Sequence, residues 1–273
     1  EMAPDIIFSF YYRDMVKQQI LDIPPAGCLN LHGSLLPRYR GRCPINWVLV
    51  NGEKETGVTL HYMTPKPDDG DIVGQKPVPI MEDDTARSLH EKAAVAAGLL
   101  LDELLPGLRT GTAPRIPQDH TQATYFGGRR PADGEIDWTR SSRDVRNLVR
   151  AVSRPYPGAF SYVGDRKFLL WDVAEVADTG VPGTVLSASP LVIACGDGAV
   201  RVEFAQSDGG VYTKGEQLAE DANLVRGVHL GQAASVRIAG ERRRSVLILG
   251  ANGFIGNALT ERLLESGRYD VHA

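Results

Sequence analysis

A short apolar run that ends in two polar side chains constrains this chain more than any other feature. Residues 27–32 read Gly-Cys-Leu-Asn-Leu-His, a pattern that predicts a β-strand with Asn30 and His32 on one face. A Gly-Ser pair ends the strand, and the proline and glycine that follow predict an irregular loop up to residue 42. Open α/β sheets bind ligands at the carboxyl ends of parallel strands. Both side chains are therefore candidate functional groups, although polar residues can also simply cap a strand end.

The segments around this strand predict the second half of an α/β domain. A long helix is expected over 85–105, where Pro106 and Gly107 should end it. The other expected strands are 4–10, 56–63 and 71–80, and the other helices 14–21 and 44–50.

The pattern changes after residue 128. A helix is expected over 141–152, and short strands with frequent Gly and Asp turns follow it, which is typical of a small barrel. These strands are expected at 159–163, 167–174, 183–186, 191–195 and 199–204.

The Asn-x-His motif is followed by Ser-Leu-Leu-Pro-x-x-Arg-Gly and, about forty residues later, by Asp68-Asp69-Gly70. This combination resembles the folate-dependent formyltransferases over roughly residues 1–230. The resemblance implies a partial Rossmann-like catalytic domain over 1–128 and an open, OB-like β-barrel subdomain over 129–230. It also implies that Asn30, His32 and Asp68 are catalytic.

Formyl transfer from 10-formyltetrahydrofolate to an amine passes through a tetrahedral intermediate with a developing oxyanion. Asn30 can donate an amide N–H to that oxygen. His32 can take a proton from the amine, or stabilise the oxyanion while charged. A carboxylate at Asp68 would orient the imidazole and raise its pKa. The sequence leaves both roles of His32 open.

The same resemblance assigns folate contacts to Arg42 and to the turn that leads into the catalytic aspartate. Arg38 and Arg40 fit solvated loop residues as well as ligand contacts. The turn consists of Thr64, Pro65, Lys66, Pro67 and Asp68.

Residues 231–244 form a polar linker, and 245–273 begin another α/β domain. A strand over 245–249, a glycine turn, a helix over 257–265 and a strand that opens at Tyr269 would place a pyrophosphate at a helix N-terminus. This order resembles the extended short-chain dehydrogenases and implies an NAD site, incomplete in this chain. Its glycines are Gly250, Gly253 and Gly256.

The complete order resembles a family of bifunctional enzymes of aminoarabinose synthesis. These enzymes formylate UDP-4-amino-4-deoxy-L-arabinose and oxidatively decarboxylate UDP-glucuronate with NAD, for lipid A modification and polymyxin resistance. The resemblance implies a homo-oligomer for the full-length protein and about seventy residues before Glu1. For this chain alone we expect negligible NAD binding, no decarboxylation and weak or absent formyl transfer.

Composition limits the alternatives. The net charge is −4, and residues 129–228 carry 12 Lys and Arg against 14 Asp and Glu, which weighs against a tRNA or other nucleic-acid partner. No apolar run is long enough to cross a membrane. The three cysteines are scattered, so they predict neither a disulfide framework nor a metal site. Their pattern predicts a cytoplasmic location. The histidines predicted to be structural are His61, His90, His120, His229 and His272.

Two alternatives remain. One is an enzyme like methionyl-tRNA formyltransferase, which would share the same three candidate catalytic residues. The other is an inactive folded fragment.

Overall fold

The computed structural model describes residues 3–10, 12, 14–231, 244–247 and 269–272. The chain divides into two compact units, 1–234 and 235–273. No helix in the described ranges is long and apolar enough to cross a bilayer.

A four-stranded sheet opens the first unit. Its strands are β1 (Ile7–Ser9), β2 (Cys28–His32), β4 (Glu55–Tyr62) and β5 (Ile72–Pro79), in the spatial order β1-β2-β4-β5. β1 and β2 are parallel, whereas the other two pairings are antiparallel. The sheet is therefore mixed rather than parallel throughout. The β4–β5 connection is too short for the crossover that parallel neighbours require.

Among the described residues, five α-helices accompany the strands. The predicted helix over 44–50 is present with the same bounds, whereas the one predicted over 14–21 is reduced to a single turn. The helices are α1 (Gln18–Leu21), α2 (Pro44–Val50), α3 (Ala86–Thr110), α4 (Ser142–Val152) and α5 (Gly215–Ala222).

The prediction that α3 stops at Pro106 is wrong. Thr85 and Ser88 form a capping box at its start, and the helix continues through Pro106 to Gly111, whose φ of 70° ends it. A proline removes one backbone hydrogen bond from a helix interior. Leu108, beyond the proline, packs against the hydrophobic core, and this burial stabilises the last turn.

The strands after α4 form one curled antiparallel sheet in the order β7-β8-β11-β10-β9, with β12 beside β11. Residues 227–231 join its two edges. Gly231 exchanges backbone hydrogen bonds with Tyr162 on β7, and Gly227 donates to Val185 on β9. The strands are β7 (Ala159–Val163), β8 (Arg166–Val176), β9 (Val185–Ala188), β10 (Leu191–Ala194), β11 (Ala199–Ser207) and β12 (Thr213–Lys214).

The loop predicted to be irregular contains a two-residue strand. β3 (Arg40–Gly41) pairs in parallel with β6 (Tyr125–Phe126). Gly41 has a φ of 98°, and a Cβ there would lie 2.3 Å from the carbonyl oxygen of Phe126. Only glycine fits this position. The pairing fixes the loop that follows β2.

Two parallel strands, β13 (Arg244–Leu247) and β14 (Tyr269–His272), are described in the second unit. The predicted strand that opens at Tyr269 is therefore present. Parallel strands need a crossover of a dozen or more residues, and the segment between these two is long enough. The predicted helix over 257–265 and the glycines Gly250, Gly253 and Gly256 lie outside the described residues.

Candidate active site

Adjacent strands and one tight loop bring four polar side chains together. Asn30 lies directly opposite His61 in the β2–β4 register. The loop between β4 and β5 carries Asp68, whose φ is 54°. Gly70 permits the turn, because a Cβ at this position would lie 2.0 Å from the carbonyl oxygen of Tyr62.

One carboxylate oxygen is the centre of this cluster. The Oδ1 atom of Asp68 lies 3.5 Å from His32 Nδ1 and 3.4 Å from His61 Nε2. The amide nitrogen of Asn30 lies 3.5 Å from the same oxygen and 3.2 Å from His61 Nε2. His32 and His61 are 6% and 2% exposed, so these contacts are shielded from water. The structure thus brings together the three sequence-predicted residues and adds His61, which had been predicted to be structural.

Backbone carbonyls fix which ring nitrogens carry protons. His32 Nε2 lies 2.7 Å from the carbonyl oxygen of Tyr39, and His61 Nδ1 lies 2.8 Å from that of Tyr62. A carbonyl oxygen only accepts, so each of these nitrogens carries the proton. In the neutral rings, His32 Nδ1 and His61 Nε2 therefore present lone pairs to Asp68.

The aspartate is held from two further directions. Its Oδ2 accepts the backbone N–H of Gly41 at 2.8 Å. The side-chain amide of Gln118 donates to the carbonyl oxygens of Asp68 at 2.9 Å and Gly70 at 2.6 Å. The carboxylate therefore has a fixed position before any ligand binds.

Arg40 is a buried cation behind the site, only 1% exposed. Its guanidinium donates to Gln118 at 2.6 Å and to the Tyr125 hydroxyl at 2.6 Å, and contacts the His120 ring at 3.0 Å. It is therefore neither a solvated loop residue nor free for a ligand. Arg38 is exposed and pairs with Glu53 at 2.6 Å.

The environment sets the charge of the cluster. Burial lowers the pKa of His32, outweighing the opposite effects of Asp68 and the Tyr39 carbonyl. Asp68 raises this pKa as expected, but the net shift is downward because desolvation disfavours the imidazolium more strongly. For Asp68, burial alone would raise the pKa, but contacts with His61, His32 and the Gly41 N–H lower it. The resting state is an ionised carboxylate beside a neutral His32.

The expected folate-binding residues lie at the surface next to this cluster. Arg42 is exposed, and its backbone N–H donates to Phe126 at 2.9 Å. The hydroxyl of Thr64 contacts the Lys66 carbonyl at 2.9 Å and the Asp69 carboxylate. These bonds shape the turn into Asp68 and leave Pro65, Lys66 and Pro67 exposed.

Sequence reasoning missed both His61 and Gln118. His61 lies within a strand predicted from its alternating pattern, and its position opposite Asn30 requires the strand register. Gln118 lies fifty residues after the carbonyl that it contacts, in a segment without regular periodicity. No local signal marks either residue.

Known proteins share this fold and these domains. HypX from Aquifex aeolicus in complex with tetrahydrofolic acid is similar over 80% of this chain and 39% of its own, with 21% identity and a TM-score of 0.61. An N-formyltransferase from Helicobacter canadensis in complex with folinic acid and dTDP-3-aminofucose covers 73% of this chain and 72% of its own, at 22% identity and a TM-score of 0.58. Methionyl-tRNA formyltransferase from Clostridium thermocellum covers 66% and 76%, at 20% identity and 0.53.

The chain spans less than half the length of that HypX protein. At these identities the three structures establish the fold alone. The formyl transferase family matches residues 1–104, and the formyl transferase C-terminal domain matches residues 129–223. The two matched regions include the clustered Asn30, His32, His61 and Asp68 and nearly all of the curled sheet. The chain therefore belongs to the formyl transferase family.

Proposed function

We propose that this chain transfers a formyl group from 10-formyltetrahydrofolate to the amine of a nucleotide-linked amino sugar. The convergence of Asn30 and the His32 ring on Asp68 is the observation that carries the proposal. Bound 10-formyltetrahydrofolate would supply the formyl carbon, to which the amine forms a C–N bond while the bond from that carbon to N10 of the folate breaks. The protein has to remove one proton from the amine, return one to N10 of the leaving tetrahydrofolate, and stabilise one developing negative charge.

His32 acts as the base in this proposal. Its Nε2 proton is committed to the Tyr39 carbonyl, which leaves Nδ1 as the nitrogen that can accept a proton. Burial lowers the pKa of the ring, so that nitrogen is unprotonated at neutral pH. Of the two roles that the sequence leaves open, this geometry favours proton removal from the amine over stabilisation of the oxyanion by a charged ring. Asp68, kept ionised, then stabilises the imidazolium that forms.

Asn30 supplies the hydrogen bond to the oxyanion. A side-chain amide has two N–H bonds, so Asn30 can keep its 3.2 Å contact with His61 and direct the other bond to the formyl oxygen. The contact with Asp68 is the longer one, at 3.5 Å, and the easier to release.

The exposed residues beside the cluster suit the folate. Arg42 and Lys66 are cations at the surface, and the carboxylates of the folate tail are anions. Pro65 and Pro67 offer apolar surface on the same turn. These cationic and apolar side chains therefore fit the charged tail and the apolar parts of the co-substrate.

For the acceptor we propose UDP-4-amino-4-deoxy-L-arabinose, in lipid A modification and polymyxin resistance, in the cytoplasm. The Helicobacter canadensis relative was solved with a nucleotide amino sugar, which supports this acceptor class. The parallel pair β13–β14 supports the start of a dehydrogenase domain, so that the parent protein would also decarboxylate UDP-glucuronate with NAD and would be a homo-oligomer.

The acceptor is tested by incubating the chain with 10-formyltetrahydrofolate and either the amino sugar nucleotide or methionyl-tRNA. We expect formylation of the sugar amine alone, because residues 129–228 carry more acidic than basic side chains. UDP-L-arabinose, which lacks the amine, is the matched control and should inhibit without being formylated. Formylation of the tRNA, or tight and salt-sensitive tRNA binding, would refute the sugar acceptor.

A further inference from the structure

His61 is a buried titratable side chain for which the three-residue mechanism has no use. It lies on β4, is 2% exposed and contacts both Asn30 and Asp68. A ring needed only for packing would not have to present a nitrogen to the central carboxylate. Its Nδ1 already satisfies the Tyr62 carbonyl, so Nε2 is the nitrogen left for chemistry.

Hydrogen-bond acceptors outnumber hydrogen-bond donors around Asp68 Oδ1. The lone pairs of His32 Nδ1 and His61 Nε2 both face Asp68 Oδ1, at 3.5 and 3.4 Å. Among the described residues, the Asn30 amide is the donor in hydrogen-bond range of this oxygen. While both rings are neutral, neither of these nitrogens donates a hydrogen bond to the oxygen, and a single added proton would create a charge-assisted one.

The charges around the cluster favour one added proton and disfavour a second. Asp68 contributes one negative charge, while the buried Arg40 lies behind His32 and disfavours a second positive charge on that ring. Other titratable or charged groups on the neighbouring elements include His120 and Tyr125 against Arg40, Asp69 against Thr64, and the Arg115–Asp71 pair beside Tyr62.

We propose that His61 is a positioning residue that receives the transferred proton from His32 through Asp68. This proposal rests on the proposed formyl transfer for its proton source. The amine N–H bond breaks and the proton binds His32 Nδ1. It then moves through Asp68 Oδ1 to His61 Nε2, restoring the lone pair of His32 and leaving an imidazolium paired with the carboxylate. When the bond from the formyl carbon to N10 of the folate breaks, the proton returns by the same route to His32 and from there binds N10 of the leaving tetrahydrofolate.

The same transfer affects Asn30. Once His61 Nε2 carries a proton, it no longer accepts the amide N–H that it holds at 3.2 Å. The Asn30 amide already directs its other N–H to the formyl oxygen, and at this stage it can turn the released N–H towards the oxyanion as well. His61 thereby couples proton removal to stabilisation of the oxyanion.

Two substitutions separate this role from a structural one. His61→Gln keeps a polar group near Asp68 but binds no proton, and His61→Asn keeps a donor near the Tyr62 carbonyl. We expect both to lower kcat roughly 10²-fold, at the low end for lost acid–base assistance, and to move the acid limb of the kcat/KM profile to higher pH. A structural role predicts near-normal activity for His61→Asn, and an unmoved acid limb in both variants overturns the proposal.

Nitrogen-15 NMR of the histidine rings gives a readout that requires no turnover. If His61 shares the proton, the His32 ring should titrate at a higher pH in His61→Gln than in the wild type, since the neighbouring ring no longer competes. An identical His32 titration in both proteins refutes the proposal. If the ring titrations are coupled but the wild type formylates no amino sugar, the proposed function fails and the shared proton stands.

Discussion

The two sheets of the first unit bury different kinds of side chains. The sheet of β1, β2, β4 and β5 buries His32, Thr59 and His61 among its apolar residues. In the curled sheet, strand β10 is buried along its whole length and entirely apolar, and the buried Ser161 of β7 is satisfied by the indole of Trp138 at 2.9 Å. Buried polar groups cost free energy unless they are paired. The first sheet retains groups that can react, and the second contributes mainly a stable core.

The largest expected effect follows from removing His32, the proposed base. His32→Ala should lower formyl transfer roughly 10²-fold or more, because the amine then loses the nitrogen that takes its proton. Initial rates at saturating co-substrate measure this change. His229→Ala is the matched control, an exposed histidine beside the edge of the curled sheet, and its rate should stay within about twofold of wild type. Equal losses of rate in both variants would show that the two sheets do not differ in function as we propose.

A second test replaces a residue of the curled sheet, where we expect a loss of stability without a loss of activity. Ser161→Ala leaves the buried indole N–H of Trp138 without its acceptor, so the free energy of unfolding should fall by about 1–3 kcal/mol. Urea unfolding measures the loss, and the rate per folded molecule should not change. Phe168, 2% exposed on β8, offers a purely apolar control, because Phe168→Leu loses packing without leaving an unpaired donor. A lower turnover of folded Ser161→Ala would show that the curled sheet does more than stabilise the fold.

The sequence predicted the strands better than it predicted the cluster. The residue patterns of β2 and β4 located both strands to within a residue at each end, although six consecutive residues of β4 are buried. The opposition of Asn30 and His61 depends on strand register, which no local pattern encodes. Pro106 illustrates a similar limit, since packing of Leu108 outweighs a local signal for helix termination.

The pKa of His32 was the least predictable property of the site. The sequence supplied the neighbouring aspartate, which raises this pKa, but not the near-complete burial, which lowers it more. Local residue types predict which groups interact. The balance between desolvation and charge depends on how the loop from Gly33 to Arg42 and strand β4 enclose the ring.

The smallest expected effect is a pH dependence of stability located in the first sheet. Because burial lowers the pKa of His32 in the folded chain, the unfolded chain binds more protons as the pH falls below about 6.5. The free energy of unfolding should therefore decrease from pH 7 towards pH 5. Asp68 acts in a lower window, since its lowered pKa adds stability that is lost only as the pH falls below about 4.

Urea unfolding at several pH values between 5 and 7 gives the slope of the free energy of unfolding against pH. Comparing this slope between variants shows which histidines contribute to it. His32→Gln should flatten the decrease, because the buried ring that resists protonation is gone. His90 has a pKa lowered by burial as well, so His90→Gln should flatten it in part. His229→Gln, at an exposed position beside the curled sheet, should leave the slope unchanged. If His32→Gln retains the full slope while His229→Gln reduces it, the titrating group lies by the curled sheet, and the assignment of reactive groups to the first sheet is wrong.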